Sequence, residues 1–482
     1  MAKLKNIIQQ LSEKDYNAIH DSLVESSADK SAYLLKAMRE RSLNDNDIMD
    51  ELGVNTNAYY TLRSRLNQKI EEYLLQQMKS PRTDILKKVA NINEIIFTKK
   101  KTIAIATLKK LEKELLDYDL SNELTIVYKS LKKLHINSSD YYNYSQSYNK
   151  HVAYMLAIDK SEDLLAEYFK KYGIYSLSGE DTDKLGLSLL VKELNNVSDL
   201  YQSHRLFVYN NCVQIFHRLF VEPDEENLDK DLEPIEDILD NIERIFEQYQ
   251  MDSIYYHLKL VFEFLKLEYY NNFKLYRKAE KYFEEVSESV ANLLTNYNLY
   301  TYPAQFLITK INRHLRLGTI KSLHEENEAL FQDFECDLDD IPKYINYILY
   351  RAISCFYAER YDEAARWINN LLNEVSLKKY PYAQLEIKVL LSLQYCLMND
   401  FDLFHQLINS IQRQIRLLGK ENCDHILVFS KMLKVSISDI KKNKEEKIRA
   451  LVDKLPSKSE RIFNPTSLIK FDEELINKLS HK

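Results

Sequence analysis

The chain has 482 residues and a formal net charge of −7, with only six glycines and eight prolines against 35 tyrosines. Sheets need turn residues every few positions and phosphate-cradling loops need glycine, so this scarcity argues against most β architectures and against the nucleotide-binding loop classes. Long helices joined by short polar turns need neither, and tyrosine suits broad helix faces because it buries its ring while its hydroxyl stays wet.

In chain order, Ser12–Glu13–Lys14–Asp15 begins a first helix with an acidic residue at a capping-box position. Further helices are expected at 29–41, 45–52, 56–78, 82–98, 101–116 and 119–134, making residues 1–135 an α-helical N-terminal domain. Residues 57–115 hold thirteen Lys/Arg against six Asp/Glu, a basic stretch read first as a solvated face and second as a nucleic-acid surface. The segment 136–149, INSSDYYNYSQSYN, reads as a loop or helix start. Helices at 145–172, 182–201, 203–221 and 234–249 then build a linking region, 136–249, with an acidic loop at 222–237.

From residue 250 the pattern becomes periodic. Pro303, Pro342 and Pro381 lie 39 residues apart, each opening an apolar, tyrosine-rich stretch. Proline suits the first helical turn, where its missing N–H would be unpaired anyway, and a period near 40 belongs to helix-pair solenoids. In YDEAARWINNLL, Tyr361, Ala364, Ala365, Ile368, Leu371 and Leu372 form one continuous helical stripe. The repeats run over 250–437. Residues 438–482 are expected to cap them, with a last helix at 466–479 set off by Pro456 and Pro465.

The stretch CFYAERYDEAARWINNLL resembles a tetratricopeptide repeat, with Ala352 at the small position of the first helix. Tyr361 resembles the aromatic that opens the second helix, Ala364 its small residue and Ile368 the large one a turn later. Tyr270, Tyr276, Ala279, Phe283 and Val286 repeat the pattern upstream. Gly318–Ile320–Leu323 and Phe401–Phe404–Ile408 are weaker copies. The aligned positions 276, 320, 361 and 401 are 44, 41 and 40 residues apart, longer than the standard 34. The resemblance implies an all-α fold, an α-α superhelix of stacked pairs following an α-helical N-terminal region. It further implies that first helices line a ligand groove, and this placement turns Gln305, Asn312, Arg316, Asn346 and Glu386 toward it. Arg316 and Asn312 would clamp a peptide carboxylate or backbone.

Signatures of catalysis are missing. The eleven histidines occur singly, without HExxH or zinc spacing, and His314 and His324 merely flank the Gly318 turn. No enzyme activity, metal or cofactor is expected. Five scattered cysteines fit a reducing compartment. No run reaches the roughly 20 apolar residues of a membrane helix, and the opening lacks a signal-peptide core, so the expectation is a cytoplasmic protein without a membrane partner. DIMDELGVNTNAYYTLRSR resembles a helix-turn-helix: Ile48 and Leu52 face inward, Gly53 turns and Val54 plugs. Asn57, Tyr60 and Arg63 would then read a DNA groove, with Arg65 and Lys69 near phosphates. Met49 stands where that motif has alanine and Tyr59 where it has a β-branched residue. Leu62, Leu66, Ile70, Tyr73 and Leu74 make the helix read equally as part of an ordinary core. The sequence therefore points to a non-enzymatic helical-repeat scaffold binding a protein or peptide partner. Its alternative is a DNA-binding regulator that joins a helix-turn-helix to a peptide-sensing repeat domain. Partner identity and self-association stay open.

Overall fold

The computed structural model describes residues 4, 7–8, 11, 13–26, 28–40, 45–77, 81–201, 203–222, 233–249, 253–296, 302–331, 337–419, 423–438, 443–455 and 462–481. Ser12, Cys336, Pro456 and most of the acidic loop lie outside these residues, as do the side chains of Asn57 and Leu74. The described residues are helical, with no strand among them. None of their helices is long and apolar enough to cross a membrane. The chain divides into two compact units, residues 1–115 with 129–141, and residues 116–128 with 142–482.

The first unit begins with α1 (Glu13–Glu25), α2 (Asp29–Glu40), α3 (Asp45–Leu52) and α4 (Thr56–Gln77). Their core gathers Ile8, Ile19, Leu34, Leu35 and Ile48 around a stripe on α4 made by Tyr59, Leu66 and Ile70. Tyr59 is thus a core residue. The helix expected at 82–98 is in fact two, α5 (Pro81–Ala90) and α6 (Ile92–Thr98), parted at Asn91. Asparagine competes with the helical backbone for hydrogen bonds, which favours a break there. Next come α7 (Lys101–Asp117) and α8 (Ser121–Leu134).

In the second unit, one apolar core runs from Ala157 to Leu479. Helix α9 (Asp140–Ser178) starts inside 136–149, so of the two readings, loop or helix start, the second holds. Asp140 supplies a carboxylate to its first turn, where the helix dipole favours it. The Tyr144 ring lies 6.5 Å from that of Tyr128, while Tyr142 is exposed. After α10 (Asp181–Leu200), α11 (His204–Phe220) and α12 (Ile235–Gln248), the pairs follow in order. They are α13 (Ser253–Asn272) with α14 (Tyr276–Asn296), α15 (Tyr302–Leu317) with α16 (Leu323–Phe331), and α17 (Ile341–Tyr357) with α18 (Tyr361–Glu374). Two more complete the series, α19 (Pro381–Met398) with α20 (Phe401–Leu418), and α21 (Asp424–Ile437) with α22 (Lys444–Val452). Second helices α14, α16 and α18 also pack on the next first helix, and first helices stack on one another. This is a stack of helix pairs.

The sequence register holds within it. Pro303 and Pro342 are the second residues of α15 and α17, and Pro381 is the first of α19. Positions 276, 361 and 401 are the first residues of second helices, while Ile320 opens the 3-10 turn that leads into α16. Ala279 and Ala364 are 2% and 0% exposed, so the hairpins close where the side chain is short.

A further repeat is carried by the backbone. Lys274, Glu359 and Asn399 each sit two residues before a second-helix start, and Gly318 two residues before the 3-10 turn that leads into α16, with φ of 57°, 61°, 62° and 74° in that order. In each turn the next N–H donates to the carbonyl five residues back: Leu275 to Tyr270 (2.8 Å), Thr319 to His314 (3.0 Å), Arg360 to Cys355 (2.9 Å) and Asp400 to Tyr395 (3.0 Å). This left-handed stop satisfies carbonyls that the first helix leaves open. In the first unit, Gly53 (φ 58°) with Val54 donating to Met49 (3.1 Å) makes the same turn between α3 and α4.

The last helix is shorter than expected. Residues 465–468 form a 3-10 turn, 469–472 are extended, and α23 (Glu473–Ser480) starts only where Asp472 caps it by accepting from Leu475 N (3.0 Å). Helix α23 packs on α21 and α22, with Ser436 Oγ donating to Leu479 O (2.6 Å).

Candidate functional site

Helix α15 carries Gln305 and Asn312 seven residues apart, two turns along one face. With Asn346 of α17 they line a cleft of about 390 Å³ whose other walls come from α9 and from residues 462–468. Asn312 is exposed, and Gln305 and Asn346 are half-buried. None of the residues lining this cleft is charged; its polar groups are mainly amides and hydroxyls. An amide side chain both donates and accepts, which matches the alternating N–H and C=O of an extended peptide.

Asn312 also borders a second cleft of about 360 Å³ between α13, α14 and α15, together with Arg316. The Arg316 guanidinium lies over the Tyr276 ring, 3.8 Å from its centroid. Beside it Arg313 Nε donates to both Glu280 oxygens (2.9 and 3.1 Å) and its guanidinium stacks on Phe283. At the floor, Glu268 Oε1 accepts from Thr309 Oγ1 (2.7 Å). Burial raises the Glu268 carboxyl to about 7, against the opposing pull of hydrogen bonds from Thr309 and Asn271.

Glu386 is placed differently from the expectation. It is 1% exposed, paired with His425 at the start of α21, and its Oε2 accepts from Thr466 Oγ1 (3.2 Å). Residues 464–468 close over it, so it is a buried anchor rather than a groove side chain. Sequence reasoning missed the residues that hold this segment. Tyr357 OH donates to Leu468 O (2.8 Å) and accepts from Lys470 N (2.9 Å), while Pro465, Thr466, Leu468 and Ile469 are buried. No local pattern marks these partners, because they lie 80 and 111 residues apart.

Of the two histidines beside the Gly318 turn, His324 joins Cys355 and Glu363 in a cluster whose ligand-type atoms lie within 4.8 Å of one another. Arg360 Nη1 stands 3.4 Å from His324 Nε2 and 3.2 Å from Glu363 Oε1, so a guanidinium already supplies the positive charge. Burial, aided by Glu363, raises the Cys355 thiol to about 11. The cluster reads as an ion-pair network that ties α16 to α18.

In the first unit, Tyr60 is 50% exposed and Arg63 is half-buried, its guanidinium 6.0 Å from the Tyr59 ring centroid. Arg65 and Lys69 are exposed and line a cleft of about 450 Å³ with Asp29 and Ser31 at the start of α2. At about 100° per residue, they point roughly 140° and 180° away from Tyr60 around α4. The described members of the DNA set therefore do not share one face.

No known protein family, no curated protein and no solved structure matches this chain.

Proposed function

We propose that the chain is a non-enzymatic, tetratricopeptide-like repeat protein that binds an extended peptide segment of a protein partner on its first-helix face. One observation carries this reading: the face already holds a polypeptide segment from outside the stack, residues 462–470, gripped through its backbone by Tyr357 and flanked by an uncharged, amide-lined cleft. First helices are the usual ligand surface of such arrays, and Gln305, Asn312 and Asn346 border the open part of it. The four described cysteines are buried and form no disulfide among the described residues, which supports an intracellular setting. The full chain used as bait should lose its partner when Asn312, Arg316 and Asn346 are changed together to Ala, with the melting profile unchanged. Undiminished capture by the triple variant would remove the reading.

A second reading, DNA binding, is favoured by the α3–Gly53–α4 turn and by the exposed Arg65 and Lys69, which line one cleft. It requires retention on duplex DNA that falls steeply with salt, because phosphate contacts release counterions. It also requires that Arg65→Ala with Lys69→Ala abolish that retention.

A further inference from the structure

Residues 462–470 do not behave as a member of the stack. They form no helix pair: residues 465–468 make a 3-10 turn, with short non-helical stretches on either side. Their contacts are of three kinds. Pro465, Leu468 and Ile469 are buried apolar pins. Thr466 hooks its hydroxyl to Glu386, which is itself buried and held by His425. Tyr357 reads the main chain at two points, the Leu468 carbonyl and the Lys470 amide. Apolar pins, one side-chain hook and main-chain hydrogen bonds are how a groove recognises an extended peptide. The groove side of every one of these polar contacts comes from α17, α19 or α21, all first helices of pairs.

We propose that this face recognises partner segments of the pattern proline, hydroxyl residue, any residue, then two large aliphatic residues, and that residues 462–470 occupy in cis the place such a segment takes. The inference rests on the peptide-binding reading above and specifies its ligand. Because this segment belongs to the same chain as the groove, its effective concentration there is on the order of 1 mM, so a segment with an affinity of about 10 µM would mask the groove roughly 100-fold. A partner binds by displacing it, and the Gln305, Asn312 and Asn346 cleft beside the segment is where an incoming chain gains its first contacts.

The test uses the full chain and a fluorescently labelled peptide of residues 462–472, IFNPTSLIKFD. Leu468→Glu puts a charge where the cis segment has a buried pin, while Leu475, Ile476 and Leu479 still anchor α23. By fluorescence anisotropy this variant should bind the peptide about 30- to 100-fold more tightly than the wild type. Adding Tyr357→Phe should weaken that binding about 5-fold, as should replacing the peptide's threonine with valine. Equal affinity of wild type and a folded Leu468→Glu variant, or no binding to either, overturns the proposal. If Leu468→Glu fails to fold, amide exchange on the wild type decides. Excess peptide should speed exchange at residues 466–470 and leave α23 unchanged, and no such acceleration overturns the proposal. A peptide-sensitive dimer in sedimentation would make a second copy the occupant and likewise overturn the partner assignment. Failure here with partner capture still dependent on Asn312, Arg316 and Asn346 leaves the broader function standing; loss of both removes it as well.

Discussion

Exchanging glycine and a side-chain residue between two equivalent turns tests whether the backbone stop defines the repeat. Lys274 and Gly318 occupy equivalent turns, two residues before α14 and two before the 3-10 turn that leads into α16, with φ of 57° and 74°. A Cβ in the left-handed region costs about 1–2 kcal/mol, and glycine's extra unfolded-state freedom offsets about 0.5–1 of that. Lys274→Gly should therefore stabilise its hairpin by about 0.5–1 kcal/mol. Gly318→Ala should destabilise by about the same amount, since no atom lies within 4 Å of the added Cβ and no clash contributes. Because stacked repeats open in parts, the suitable assay is amide exchange at the bonds that define each turn, Leu275 to Tyr270 and Thr319 to His314. Exchange should slow roughly 2- to 5-fold at Leu275 in the first variant and quicken by the same factor at Thr319 in the second. Shifts of the same sign in both would refute the strain argument.

Ala364→Leu, at a fully buried contact between α17 and α18, should cost about 1–3 kcal/mol by overpacking. Arg366→Leu, whose side chain is 69% exposed, should stay within about 0.5; equal urea midpoints would mean the helix phase is wrong. Glu268 binds its proton more tightly folded than unfolded, so it lowers stability as pH rises from its ordinary 4.5 toward about 7, by at most about 1.4 kcal/mol per pH unit. Glu268→Gln should flatten the stability profile across that window, and an unchanged slope would place the titration elsewhere. Glu386→Ala should cost about 1–3 kcal/mol by stripping His425 and Thr466 of their shared partner; a neutral result in thermal melts would show that the trio carries no weight.

What the sequence disclosed was local. Pro303, Pro342 and Pro381 mark helix starts through their own missing N–H, and Ala279 and Ala364 mark hairpin contacts through their own small size. Of the four left-handed turns, Gly318 and Asn399 suit the conformation by residue type, whereas Lys274 and Glu359 adopt it under the demand of the flanking helices and carry no local mark. At 136–149 a loop and a helix start both stayed open, because polarity alone does not separate them, and the helix start is what the structure has. Glu386 was placed on the proper face by helix phase, but its burial depends on Thr466, 80 residues away, which no periodicity encodes. Tyr357 and His425 were hidden likewise, their partners lying 111 and 39 residues away.

The segment seated on the first-helix face also bears on the order in which the molecule forms. Each pair of the stack closes over a few tens of residues, whereas Tyr357 meets Leu468 across 111 and Glu386 meets Thr466 across 80. Closing a longer loop costs more chain entropy, and contacts of high sequence separation slow folding. The pairs therefore assemble first, and the strap arrives afterwards on a surface that is already built. During that interval Tyr357 and Glu386 are open to water, and a newly made chain exposes its first-helix face before the strap covers part of it. On the proposed function, a partner would be met more readily during synthesis than after maturation.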